Sequence, residues 1–119
     1  MKSFELVERE ISADCREVAV IGELDLAVAD RLSAVLDRAA GDAPQILISL
    51  DKCEFIDSTG IAVVVRAHRE AGERGGRLAV YGPSAQVRRV LEVTGLTRNG
   101  LVFETAEQAQ AFFMDGASR

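Results

Sequence analysis

Asp57-Ser58-Thr59-Gly60 is the stretch of this 119-residue sequence whose residue types could do chemistry. A carboxylate precedes two hydroxyls, and the tetrad lies between a short apolar run (residues 46–50, ILISL) and a stretch with helical apolar spacing. That is the C-terminal end of a buried strand, where open α/β sheets carry their functional loops. Ser58 falls at the N-cap or in the first turn of the helix. One reading is structural, because Ser is a preferred N-cap. The other is phosphorylation, since free backbone N–H groups and the helix dipole favour an anion there. A phosphate would add about −1.5 to −2 charges beside Asp57 and near the Glu23/Asp25 loop, so a docked partner would be repelled. Asp57 itself fits an Asx-type turn before the helix. Asp25 fits the N-cap of an earlier helix. Gly60 allows close packing or close approach of a partner at the helix start.

The remaining reactive residues point to little chemistry. Cys15 and Cys53 form no CxxC motif, and in a reducing compartment they are expected to be free thiols. A redox role for Cys53, a few residues before Ser58, would need a thiolate of lowered pKa. The single histidine, His68, cannot complete a His-rich metal cluster, so no metal site is expected. A serine hydrolase would have to use that same histidine, and Ser58 lacks the Gly-x-Ser-x-Gly elbow. His68 lies in line with an apolar stripe and is expected to pack at a helix edge. Arg88-Arg89 fits an exposed helical face. No enzyme activity and no cofactor are expected.

The elements around these residues follow from apolar spacing. Residues 4–11 and 16–21 read as two strands, with a polar break at 12–14 and a stop at Gly22, and pair as an antiparallel hairpin. Gly22-Glu23-Leu24-Asp25 reads as a loop. Val28, Leu32, Val35, Leu36 and Ala39 predict a helix over 26–40, stopped by Gly41. Residues 46–50 are a buried strand, 51–57 a connector, and 59–74 a second helix ended by Gly75-Gly76. A strand over 78–81 follows, then a helix capped by Ser84 and ended at Gly95. A short strand over 101–103 precedes a last helix with Thr105 and Gln108 at capping-box spacing. The order β-β-α-β-α-β-α-β-α predicts an α/β domain: a mixed sheet of about five strands, mostly parallel, with four helices packed against it.

Composition narrows the partners. There are 14 Lys and Arg against 19 Asp and Glu, a net charge of −5, which argues against nucleic acid. Residues 1–60 hold 13 acids and 6 bases, while residues 61–119 hold 6 acids and 8 bases. The acidic half is either an ordinary solvated surface or a contact face. No apolar run approaches the roughly 20 residues of a spanning helix, so no membrane role is expected, and the expected location is the cytoplasm. With no repeat, low-complexity tract or linker, residues 1–119 read as one domain with its core at about 4–113.

The chain resembles the STAS-domain family, and within it the bacterial anti-sigma factor antagonists. The resemblance is carried by Gly22-Glu23-Leu24-Asp25, by Phe55-Ile56-Asp57-Ser58-Thr59-Gly60, and by Val87-Arg88-Arg89-Val90-Leu91 with Thr94-Gly95-Leu96. It implies a partner switch. The unmodified antagonist would bind an anti-sigma factor that is a serine kinase of the histidine-kinase-like ATPase fold, and so release a sigma factor. The kinase would phosphorylate Ser58 and end the complex, and a PP2C-type phosphatase would reset it. ATP and Mg²⁺ would belong to the partner. The resemblance places Asp25, Asp57, Ser58, Thr59 and Gly60 in the partner-binding face, with Ser58 rather than Thr59 as the acceptor.

The alternatives are a STAS subunit of a stressosome-like scaffold, or of a transporter or lipid-trafficking complex. A phospho-aspartate receiver using Asp51 fits poorly. Receivers need acids at the end of the first strand to hold Mg²⁺, and here that strand ends in Ile11-Ser12.

Overall fold

The computed structural model describes residues 4–117. Its sheet has strands β1 (Phe4–Ser12), β2 (Cys15–Leu24), β3 (Gln45–Ile56), β4 (Arg77–Tyr81) and β5 (Val102–Phe103) in the order β1-β2-β3-β4-β5. β1 runs antiparallel to β2, and the other neighbours are parallel. The helices are α1 (Leu26–Asp42), α2 (Ser58–Glu73), α3 (Ala85–Val93) and α4 (Ala106–Ala117). This is the expected mixed α/β sheet with four helices. A short 3₁₀ turn, Leu96–Asn99, is added after Gly95, which takes the left-handed conformation at φ 82°. Leu96 folds back into the same core as Leu91, as the TGL ending predicts.

The helices divide between the two faces. Leu32 and Leu36 of α1, Ile61 and Val64 of α2, and Val87 and Leu91 of α3 close over Val18, Val20, Ile46, Ile48, Leu78 and Val80. Ala109 and Phe113 of α4 cover Leu47, Ala79 and Tyr81 on the other face. There the Glu17 carboxylate is buried, accepting from Arg9 Nη2 at 2.8 Å and from the Tyr81 hydroxyl at 2.8 Å. Both charge and lone pairs are therefore answered in a region where an unpaired carboxylate would be costly. Among the described residues no helix is long and apolar enough to cross a membrane.

Two strands run further than their apolar spacing predicts. β2 continues through Gly22-Glu23 to Leu24, and β3 continues through 51–56, the segment expected as a connector. The cause is a pair of irregularities in the β2–β3 register. Pairing steps from Ala19↔Ser49 to Ile21↔Lys52, and again from Gly22↔Cys53 to Glu23↔Phe55. Each step fits one extra residue into β3, as a β-bulge does. Gly22, at φ 100°, supplies the left-handed backbone beside the second. The bulges set the buried side chains at Leu50, Cys53 and Ile56, three apart rather than two, which hides the strand from a period-two reading. They also carry the strand ends outward to the tetrad.

Candidate functional site

β2 and β3 end together. Leu24 pairs with Ile56, and the Asp57 N–H donates to the Leu24 carbonyl at 3.1 Å. One residue then separates each strand from its helix: Asp25 before α1 and Asp57 before α2. Both take extended backbone and cap the helix that follows. Asp25 Oδ1 accepts from the Ala27 N–H at 3.0 Å. Asp57 Oδ1 accepts from the Thr59 N–H at 3.0 Å and the Gly60 N–H at 3.2 Å. Two adjoining strand ends thus set two capped helix N-termini and two carboxylates at one end of the sheet.

The capping role expected for Ser58 belongs instead to Asp57. Ser58 is the first residue of α2, it is exposed, and its hydroxyl bonds to no described residue. Thr59 differs: its hydroxyl donates to Asp57 Oδ1 at 2.5 Å. One hydroxyl of the tetrad is therefore engaged and the other is open. The Thr59 hydroxyl, followed by the backbone amides of Gly60, Thr59 and Leu26, holds the Asp57 carboxyl below its ordinary value against a smaller opposing effect of burial. Leu26 opens α1, so the Asp57 carboxylate is stabilised by both helix starts.

Gly60 meets the requirement for close packing. A Cβ there would lie 2.6 Å from Leu24 Cγ and 3.2 Å from Ile56 Cγ1. Two exposed apolar residues flank the tetrad in sequence and across the strand ends: Phe55, 38% exposed, and Leu26, 74% exposed. Leu26 was not among the residues singled out from sequence, because a leucine opening a helix looks like one more core residue.

The other reactive groups stay apart from this chemistry. Cys53 is buried, its thiol donates to the Phe55 carbonyl at 3.3 Å, and burial pushes its pKa up. Burial, with Glu17 nearby, pushes the Cys15 thiol up to about 11. Neither suits a low-pKa redox switch. His68 is half-buried on α2, and on α3 Arg89 is exposed as expected while Arg88 is half-buried. Among the described residues no group of three or more His, Cys, Asp or Glu could hold a metal.

The charge on Asp57 can be tested. A carboxyl depressed by folding stabilises the native state above its unfolded pKa, and this stabilisation is lost as pH falls through the folded value. Asp57→Asn keeps a capping side chain but removes the charge. Urea unfolding is expected to show wild type ahead at pH 7, with the gap closing below about pH 4. Asp57→Ala, which loses the cap as well, should cost about 1 kcal/mol at pH 7.

The family model described as Mlab, STAS domain, matches residues 7–103. The chain belongs to the STAS-domain family. This STAS domain is 30% identical over 96 residues to the anti-sigma-B factor antagonist of Listeria monocytogenes, covering 80% of this chain and 82% of that one. The anti-sigma factor antagonist SpoIIAA in its unphosphorylated form superposes with a TM-score of 0.75 at 25% identity, over 90% of this chain and 92% of that one. The phosphorylated form of Bacillus SpoIIAA gives 0.69 at 25% identity, over 92% and 97%. The family to which the chain belongs thus includes these anti-sigma factor antagonists, which are regulators and not enzymes.

Proposed function

We propose that the unmodified STAS domain docks an anti-sigma factor serine kinase of the histidine-kinase-like ATPase fold on the face around Ser58. Docking frees the sigma factor. The kinase then phosphorylates Ser58 and the complex dissociates, until a PP2C-type phosphatase removes the phosphate. The observation that carries this reading is the contrast within the tetrad. The Ser58 hydroxyl is exposed and unengaged, whereas the Thr59 hydroxyl is held by Asp57. Asp25, Asp57 and Gly60 set that geometry, and Leu26 and Phe55 supply apolar surface for a partner. Phosphate would place two more negative charges or nearly so beside two carboxylates, on a surface that must lose water to dock.

The test is phosphate mapping. The purified domain, incubated with ATP, Mg²⁺ and the anti-sigma factor kinase of its host, is expected to take up one phosphate, located on Ser58 by mass spectrometry. Ser58→Ala should take up none. Phosphate on Thr59, or unchanged uptake by Ser58→Ala, overturns the assignment.

A further inference from the structure

β1 forms one edge of the sheet, and among the described residues no strand lies beside its outer side. Natural edges are usually blunted by charged side chains, Lys above all, and by Pro, bulges or a covering element, and within residues 4–10 the device present is the charge of Glu5, Glu8, Arg9 and Glu10. β1 is nine residues long and contains neither Lys nor Pro. Its register against β2 is unbroken from Phe4 to Glu10, and the irregularity comes only between Glu10 and Ser12. β1 therefore offers a regular seven-residue template.

We propose that β1 pairs antiparallel with β1 of a second copy, about a two-fold axis normal to the sheet and centred on Val7. Such an interface is self-complementary, each contact occurring twice. The axis keeps the faces of the two sheets aligned, so residues on one face oppose residues on the same face. In the Val7 register, Glu5 of each copy opposes Arg9 of the other. Val7, 37% exposed, opposes itself. On the face packed by α1 Leu6 opposes Glu8 and Phe4 opposes Glu10, so no like charges are directly opposed and the two copies of Glu8 meet only diagonally. Cations of α1 already counter the acid on that side: Arg38 bonds Glu8 at 3.4 Å, and the Arg31 guanidinium lies 5.0 Å from the centre of the Phe4 ring.

Charge repulsion disfavours the registers centred on Glu8 and Arg9, and the register centred on Leu6 opposes Glu5 to Val7 and so forgoes the two Glu5–Arg9 pairs. Centring on Glu8 sets that acid against itself. Centring on Arg9 opposes Arg9 to itself and Glu8 to Glu10. Directly opposed like charges destabilise a sheet pair, whereas opposite charges stabilise it. Arg9 also reaches across β1–β2 to Glu17 through Nε and Nη2, which leaves Nη1 to meet Glu5 of the second copy. Its side chain remains 61% exposed. β2 separates this edge from β3 and Ser58, so the pairing is independent of the switch.

Analytical ultracentrifugation of the full chain, from micromolar to sub-millimolar concentration, tests the proposal. Wild type is expected to approach twice the monomer mass. Glu5→Arg sets two cations together at both ends of the pair and should weaken the dimer about tenfold or more. At concentrations where both proteins are monomeric its unfolding midpoint should stay unchanged, because Glu5 is exposed. Val7→Lys should weaken the dimer as well. In wild type, the outward amides of residues 4–10 should exchange hydrogen more slowly as the dimer fills. A wild type that stays monomeric, a Glu5→Arg variant that dimerises like wild type, or β1 amides indifferent to concentration would each overturn the pairing.

Discussion

Ser58→Asp is expected to weaken binding to the anti-sigma factor kinase by about a hundredfold, about 2.8 kcal/mol, while Ser58→Ala binds within a few-fold of wild type. The difference arises at the interface and not in the fold. Position 58 is the first residue of α2, where an acid is favoured by the helix dipole by about 0.3–1 kcal/mol at low salt. The free Ser58→Asp domain should therefore unfold no more readily than wild type. In the complex the new carboxylate would sit beside Asp57, whose carboxyl is held below its ordinary value by the Thr59 hydroxyl, and near Asp25. Docking removes water from all of them, and the exposed faces of Leu26 and Phe55 offer no countercharge. Like charges gathered on a desolvating surface cost several kcal/mol. Salt screens the exposed part of that repulsion, so the ratio between the two variants should narrow as ionic strength rises. Titration calorimetry of both variants against the kinase gives the answer. Equal affinities would remove the switch and leave Ser58 as an ordinary first-turn residue.

How much of this was legible in the sequence depended on which periodicity survived folding. The helices α1, α2 and α3 were legible because their buried residues recur at helical spacing, with Ser84 capping α3 through the Val87 N–H as its type suggests, although α1 runs through Gly41, expected as its stop, to Asp42. The long ends of β2 and β3 were hidden because two bulges shift alternation to a spacing of three, at Leu50, Cys53 and Ile56. A glycine at 22 then looked like a stop, when it is the residue that lets the strand continue past a bulge. The tetrad's place at a strand-to-helix junction was legible, but the division of labour within it was not. Asp57 and Ser58 are both good N-cap types one residue apart, and only the backbone decides which caps. Once Asp57 does so, the same carboxylate also engages Thr59, and Ser58 is left open. The exposure of Leu26 and Phe55 was equally hidden, because composition does not say which apolar residues a sheet leaves uncovered.

Gly60 links the core to this site, and enlarging it should have the largest effect on stability. It is the third residue of α2, where helix propensity alone would favour Ala over Gly by up to about 1 kcal/mol. Packing opposes that gain. An added Cβ would stand 2.6 Å from Leu24 Cγ and 2.9 Å from Leu24 Cδ2. Leu24 is fully buried and Ile56 is 1% exposed, so neither side chain can swing into solvent to make room. Overfilling a packed core costs about 1–3 kcal/mol. Gly60→Ala is expected to lose about 1 kcal/mol net, and Gly60→Val, with a branched side chain in the same space, about 3 kcal/mol. The second figure is a large share of the roughly 5–15 kcal/mol that holds a domain of this size together. Urea unfolding measures both, and a double-mutant cycle identifies the cause. Leu24→Ala opens the space the new Cβ needs, so Gly60→Ala should cost less, or become stabilising, in the Leu24→Ala background. An unchanged cost would show that the two residues do not compete. The same collision should reach the switch, because Leu24 immediately precedes Asp25 and Ile56 immediately precedes Asp57. Displacing those strand ends moves both capping carboxylates. Gly60→Ala is therefore expected to slow phosphorylation of Ser58 while the domain remains folded.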